Sequence, residues 1–259
     1  MTMSDTDTTS KSETIALVTG ASAGIGAAFC RQLADRCDRI IATGRREAPL
    51  KALADELADR CEVYVLVADL ATVEGRTRVI ESLRQQGPVD YLVNNAGFST
   101  LGKFDSVLLD DQMDMVRVHV DATMALSQAA IPFMRERGGG FIVNVSSTAS
   151  FFTVPTAAVY VASKAFLNSF STSLQAEVAK DNIRIQCLCP GYTITEFHDR
   201  DAMANFDRAR VPDDQWMEAS DVVTASLAAL EDGPVLVVPG EGNLASARHG
   251  TQALLDSLD

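Results

Sequence analysis

Hydrophobic positions along the chain fall into short, largely β-branched runs, and between them lie longer stretches where apolar residues recur every three to four positions. The runs occupy residues 15–18, 39–42, 63–67, 91–93, 141–145, 183–188 and 235–238. Short apolar runs bounded by turns predict strands buried on both faces, and the helical period between them predicts covering helices. The first six runs are spaced widely enough for a helix in every crossover, which makes neighbouring strands parallel.

Alternation of this kind predicts the α/β class: a single-domain, Rossmann-like, doubly wound parallel sheet of seven strands flanked by helices. The domain spans 14–243. A polar tail at 1–13 is too poor in apolar groups to order itself, and a C-terminal extension follows at 244–259. Between 192 and 220 the alternation lapses, and Phe197, Met203, Phe206, Trp216 and Met217 stand among charges. This stretch leaves the carboxyl end of the sixth strand, where open sheets bind ligands, so 192–219 reads as a substrate-binding lid. A helical pair that completes the core is the alternative.

Composition narrows the function classes. With 259 residues, 47% hydrophobic and 22% charged, most of the chain is globular with a substantial core. Acidic residues outnumber basic ones 35 to 22, for a formal charge of -13, which argues against a nucleic-acid partner. No apolar run nears the ~18 residues of a membrane span, and the chain opens without a signal-like segment, so a cytoplasmic protein with no membrane partner is expected. Five cysteines (Cys30, Cys37, Cys61, Cys187, Cys189) read as reduced thiols, the last two sharing one face of a strand. Three histidines (His119, His198, His249) show no zinc spacing, and no metal is expected.

Two groupings carry chemistry. After the first strand comes Gly20-Ala-Ser-Ala-Gly24-Ile-Gly26 and then a helical stretch. Glycines at such a turn admit a pyrophosphate to free N–H groups at a helix N-terminus. Tyr160 and Lys164 lie four apart in a stretch without Pro or Gly, hence on one helix face. An ammonium beside a phenol favours phenolate, so Lys164 is expected to draw the Tyr160 pKa down toward neutrality.

These motifs come with others. Asn94-Asn95-Ala96-Gly97 follows the fourth strand, Ser147 stands 13 residues before Tyr160, and Pro190-Gly191 follows the sixth strand. Over about residues 14 to 243 the chain resembles the short-chain dehydrogenase/reductase superfamily. The resemblance implies hydride transfer to or from a nicotinamide, with Tyr160 exchanging a proton with the substrate oxygen, Ser147 holding that oxygen, and Lys164 also gripping the nicotinamide ribose. It places the dinucleotide on Gly20, Ser22, Ala23, Gly24, Ile25, Gly26, Asp69, Leu70, Asn95, Ala96, Gly97, Tyr160, Lys164, Pro190, Gly191, Thr193 and Thr195. It also implies a homodimer or homotetramer built through the fourth and fifth helices. Family members often carry Asn at the position 41 residues before the tyrosine, where it supports a water relay. Here His119 stands there, either holding a relay water or buried against a backbone carbonyl.

Arg45 and Arg46 follow the second strand, where an NAD site would offer a carboxylate. Their guanidinium forks suit a 2′-phosphate, so the cofactor is expected to be NADP(H). The resemblance implies that Asp69 contacts adenine, and the same residue can cap the next helix. Phe98, Phe151, Phe152, Val154, Pro155, Tyr192, Phe197, Phe206 and Trp216 are expected to wall the pocket, which favours an apolar or aromatic carbonyl substrate. A 3-oxoacyl reductase is the alternative enzyme: no basic cluster marks a carrier-docking surface unambiguously, although Arg200, Arg208 and Arg210 could contribute one. A non-catalytic NADP-sensing or scaffold protein is the alternative of another class.

Overall fold

The strands β1 (Ile15–Thr19), β2 (Arg39–Gly44), β3 (Glu62–Val67), β4 (Tyr91–Asn94), β5 (Gly140–Val145) and β6 (Ile183–Leu188) fall on the first six apolar runs. β7 (Thr193–Ile194) and β8 (Met217–Glu218) are two-residue strands, and β9 (Leu236–Val237) falls on the last run. The helices are α1 (Gly24–Leu33), α2 (Glu47–Leu57), α3 (Val73–Gln85), α4 (Leu109–Val116), α5 (Ala122–Arg137), α6 (Ala158–Val178), α7 (Ala219–Ala228) and α8 (Glu241–Asp256). This computed structural model describes residues 13–199 and 206–258. The tail at 1–12, Arg200 and Met203, and the side chains of His198 and Arg210 lie outside the described residues.

Seven strands form one parallel sheet in the order β3-β2-β1-β4-β5-β6-β9. Alternate side chains go to opposite faces, as the strand period requires. Ala16 and Val18 join Phe29, Leu33, Leu50 and Leu57 under α1, α2 and α7. Ile15 and Leu17 join Leu83, Leu92, Leu126 and Met134 under α3 and α5. Helices on both faces explain why the runs are apolar throughout rather than alternating. The last strand shrinks to two paired residues because Pro234 and Pro239 flank its run and neither can donate to a ladder.

Strand order reverses between β1 and β4, and there the two neighbouring crossovers leave to opposite sides. A crevice opens at the carboxyl ends of these strands, which is where such sheets bind ligands. It is bordered by the glycine turn after β1 and by Asn95–Gly97 after β4. The five cysteines are all free and buried.

The segment between β6 and α7 is neither a helical pair nor an open loop in its described part. β7 and β8 pair in parallel, and the Met217 N–H donates to the Tyr192 carbonyl at 2.9 Å. Single 3-10 turns at Glu196–Asp199, Arg208–Arg210 and Asp213–Gln215 fill the rest. The rings of Tyr192, Phe206 and Trp216 cluster at 5.4–6.4 Å between centroids, with the Arg208 guanidinium 4.3 Å from the Trp216 ring. The C-terminal stretch is largely one helix, α8, which begins before residue 244.

Candidate active site

Helix α6 runs for 21 residues without Pro or Gly, and its pitch brings Tyr160, Ser163 and Lys164 to one side. The half-buried Tyr160 ring packs between His119, edge-on at 5.9 Å, and Phe197, at 6.1 Å. Lys164 is buried; its ammonium donates to the Val145 carbonyl at 2.8 Å and lies 5.8 Å from the Tyr160 ring centroid. The Ser147 hydroxyl faces the phenol and partly offsets the effect of its burial.

This geometry corrects one expectation. Burial pushes the Tyr160 phenol above its ordinary pKa, and Ser147 offsets only part of that shift. Lys164 lies beside the ring, yet in the protein alone desolvation of the phenolate outweighs it. Burial also draws Lys164 down to about 8.

Ser147 caps the turn that follows β5: its Oγ accepts from the Ala149 N–H at 3.1 Å, which leaves the hydroxyl proton free to donate. Ser150 Oγ donates to the Ser147 carbonyl and Asn168 Nδ2 donates to Ser150 Oγ, tying the turn to α6.

His119 sits in a π-helical turn, Arg117–Asp121, between α4 and α5, and is buried. Its Nε2 accepts from the Phe98 N–H at 3.2 Å, which requires the proton on Nδ1. Nδ1 faces Ser163 Oγ at 2.8 Å, and Ser163 donates on to the Tyr160 carbonyl. Burial, and then Lys164, hold the imidazole pKa well below its usual value, so the ring is neutral. Both nitrogens thus have partners within the protein. The partners are a backbone N–H and a hydroxyl rather than the backbone carbonyl expected.

Replacing His119 by Leu strands the Phe98 N–H, at about 1–3 kcal/mol for an unpaired buried donor. His119→Leu is therefore expected to lower both the melting temperature and kcat, whereas His119→Asn, which retains an acceptor and a donor, keeps most of each. Wild-type kcat in the Leu variant would remove His119 from the site.

The turn after β1 fits a dinucleotide. Gly20 and Gly24 adopt φ of +66° and +55°, which L side chains rarely do. A Cβ on Gly26 would strike the Gly20 carbonyl and stand 2.5 Å from Asn95 Nδ2, so α1 can pack on the turn only through glycine. Ala23 caps α1 with no side-chain bond and no acid stands in the first turn, which leaves the N–H groups of Gly24, Ile25 and Gly26 for an anion. Thr195 reaches the loop from the other side, 2.9 Å from where a Gly24 Cβ would be.

Asn95 Nδ2 donates to the Thr19 carbonyl at 2.8 Å, and Thr19 Oγ1 accepts from the Asn95 and Ala96 N–H groups at 2.9 Å each. Gly97 brings that loop against His119 Nε2 and Lys164 Nζ, 2.7 and 3.5 Å from its missing Cβ. Pro190 accepts from the Thr148 N–H, and Thr193 Oγ1 donates to the Gly191 carbonyl. Leu70 buries its side chain in the core, away from any ligand.

A cavity of about 600 Å³ is lined by Arg45, Val67, Ala68, Asp69, Thr72, Glu74, Gly75 and Arg78. Thr72, not Asp69, caps α3, and Asp69 accepts from the Ala71 N–H in the preceding turn. Arg46 pairs with Glu196 at 2.8 Å and reaches Ser22 Oγ at 3.4 Å.

Of the expected wall, Phe197 flanks Tyr160, while Phe151 packs into a small core cluster with Leu167, Cys187 and Cys189. Thr19, Ser163 and Glu196 were not among the sequence candidates. Thr19 adjoins Gly20, and Ser163 is one turn from Tyr160, which are the signals they carried.

Fold and crevice together define an α/β oxidoreductase built around a nucleotide cofactor. The chain belongs to the short-chain dehydrogenase family: the family described as "short chain dehydrogenase" matches residues 14–204. Sulfoacetaldehyde reductase 2 of Chromohalobacter salexigens is 36% identical over 186 residues, 71% of this chain and 74% of that relative. The structure of a short-chain dehydrogenase from Sphingobium yanoikuyae in complex with NADPH superposes with a TM-score of 0.82 at 29% identity, over 94% of this chain and 95% of that one. A family member from Burkholderia phymatum in complex with NAD shares the fold at 22% identity, with a TM-score of 0.80 over 94% and 95% of the two chains. No described helix is long and apolar enough to cross a membrane.

Proposed function

We propose that the protein is an NADP(H)-dependent carbonyl reductase that exchanges a hydride between the nicotinamide and an apolar or aromatic ketone or aldehyde. The observation that carries this reading is the Tyr160 phenol set beside Ser147 and the buried Lys164 ammonium, joined through Asn95–Gly97 to the glycine turn. A bound dinucleotide would supply the hydride. Tyr160, kept protonated by burial, gives its proton to the carbonyl oxygen as charge develops there, and in reverse takes it from the alcohol. Ser147 donates its free hydroxyl proton to the same oxygen and holds it in place. Lys164, charged at neutral pH, stabilises the phenolate that remains and is placed to hold the ribose hydroxyls.

Apolar substrates are supported by Phe197 against Tyr160 and by the Tyr192–Phe206–Trp216 cluster. Arg208 on Trp216 supports a second reading, a carbonyl substrate that carries an anionic group, such as sulfoacetaldehyde or a 3-oxoacyl thioester of a phosphate-bearing carrier. NADPH consumption with aromatic ketones, sulfoacetaldehyde, a 3-oxoacyl thioester and no substrate separates these readings. Turnover of none of them would leave a cofactor-binding protein without catalysis. A homo-oligomer is supported by exposed Leu109 and Met113 on α4, next to an apolar groove lined by Val116, Val120, Val159, Ala162 and Phe166. Light scattering in solution is expected to give at least a dimer.

A further inference from the structure

Helix α8 supplies no reacting group, yet it touches both loops that frame the candidate site. In its first turn Asn243 lies against Gly191, where a Cβ would strike Asn243 Oδ1. The same amide donates to the Pro239 carbonyl at 2.9 Å and stands 3.4 Å from Met217 Sδ, so it is held from two sides. Two turns later Gly250 lies on the Phe151 carbonyl oxygen, and its missing Cβ would be 2.8 Å from the Phe152 ring. Phe151 ends the turn that Ser147 caps, and Gly191 follows Pro190 in the loop after β6. The two loops are bonded to each other, with the Thr148 N–H on the Pro190 carbonyl at 2.8 Å.

Only Ala247 and Gly250 of α8 are buried, so its hold on the domain is narrow and centred on Gly250. Gly250 has no left-handed φ, and the residue is therefore required by close approach rather than by backbone conformation. A side chain there meets a backbone oxygen, which cannot rotate aside, and the Ser147 turn must move. Gly242, on the same helix, has nothing within 4 Å of its missing Cβ. The whole helix lies beyond residue 204, where the family match ends, so the family assignment gives it no role.

We infer that α8 is a positioning element, which sets the Ser147 turn against the Pro190–Gly191 loop through Gly250 and Asn243. The inference rests on the proposed reading, in which Ser147 holds the carbonyl, and on the expected place of Pro190 and Gly191 in the dinucleotide site.

The full-length chain tests it in four variants, with kcat and KM, NADPH affinity by fluorescence titration, and melting temperature as readouts. Gly250→Ala is expected to lower kcat by about tenfold or more, as small misplacements of reacting groups do. Its NADPH dissociation constant should stay within about twofold, because the glycine turn is untouched. Adding Phe152→Ala, which clears the ring from beside the new methyl, should recover part of the lost kcat. Asn243→Ala should weaken NADPH binding several-fold, and Gly242→Ala should change none of the readouts.

Wild-type kcat in Gly250→Ala, or a loss that merely follows the folded fraction, overturns the inference. So does wild-type NADPH affinity in Asn243→Ala. If the wild type binds NADPH but reduces no carbonyl, the reductase reading fails by itself, and the Asn243→Ala titration still decides the role of α8.

Discussion

Tyr160→Phe is expected to lower kcat for carbonyl reduction by about 10²- to 10⁴-fold, the range one positioned general acid contributes, while leaving the NADPH dissociation constant within about twofold. The substitution keeps the ring and its contacts with His119 and Phe197, and removes only the hydroxyl that meets Ser147. A loss shared equally between kcat and cofactor affinity would instead indicate collapse of the crevice. The pH dependence follows from the same groups. Burial raises Tyr160 above its ordinary value, so it stays protonated through neutrality and reduction shows no acid-side limb from it. Lys164 loses its proton near pH 8, and above that value the phenolate left by proton transfer lacks its cationic neighbour. Reduction should therefore fall as pH rises past about 8, whereas alcohol oxidation, which requires phenolate, should rise with pH. His119 is neutral and contributes no limb near 6.5. A phenylalanine variant with more than a tenth of wild-type kcat, measured by NADPH consumption, sinks the assignment.

The sheet was legible because its strands are covered on both faces, which turns each into a continuous apolar run. The last run also joins the sheet, though over two paired residues, since the prolines that bound it limit pairing more than its hydrophobicity suggests. Tyr160 and Lys164 were legible through the helical period. The sign of the Tyr160 shift was not, because it depends on how deeply the phenol is buried once the chain packs. Lys164 turns to the Val145 carbonyl, and burial of the phenol dominates. His119 illustrates the same limit: its partners, Phe98 and Ser163, are 21 and 44 residues away in the chain and share no local period with it. Phe151 was read as pocket wall from its position near a strand end, yet the turn capped by Ser147 directs it into the core. What the chain hides is thus mostly pairing across long separations, including Arg46 with Glu196.

That last pair bears on cofactor choice, for which Arg45→Asp is expected to have the largest effect. Among the described residues Arg45 has no ion-pair partner, and it lines the cavity shared with Asp69, Thr72 and Arg78. A charge-assisted bond from its guanidinium to a 2′-phosphate contributes about 1.5–3 kcal/mol, or roughly 10- to 150-fold in relative affinity. An aspartate there removes that bond, repels the phosphate and offers an acceptor to the ribose hydroxyl of NADH. The ratio of kcat/KM for NADPH to that for NADH should fall by about 10²-fold or more. Arg46→Ala should shift it less, because Arg46 is already shared with Glu196. That pair is exposed and worth only about 0.2–1 kcal/mol, so a phosphate displaces the carboxylate readily. Glu196→Ala then frees Arg46 and should tighten NADPH slightly while leaving NADH unchanged. Steady-state kinetics with both cofactors decides the matter: an unaltered ratio in Arg45→Asp would move the discrimination away from this cavity, to the glycine turn or to Arg46 alone.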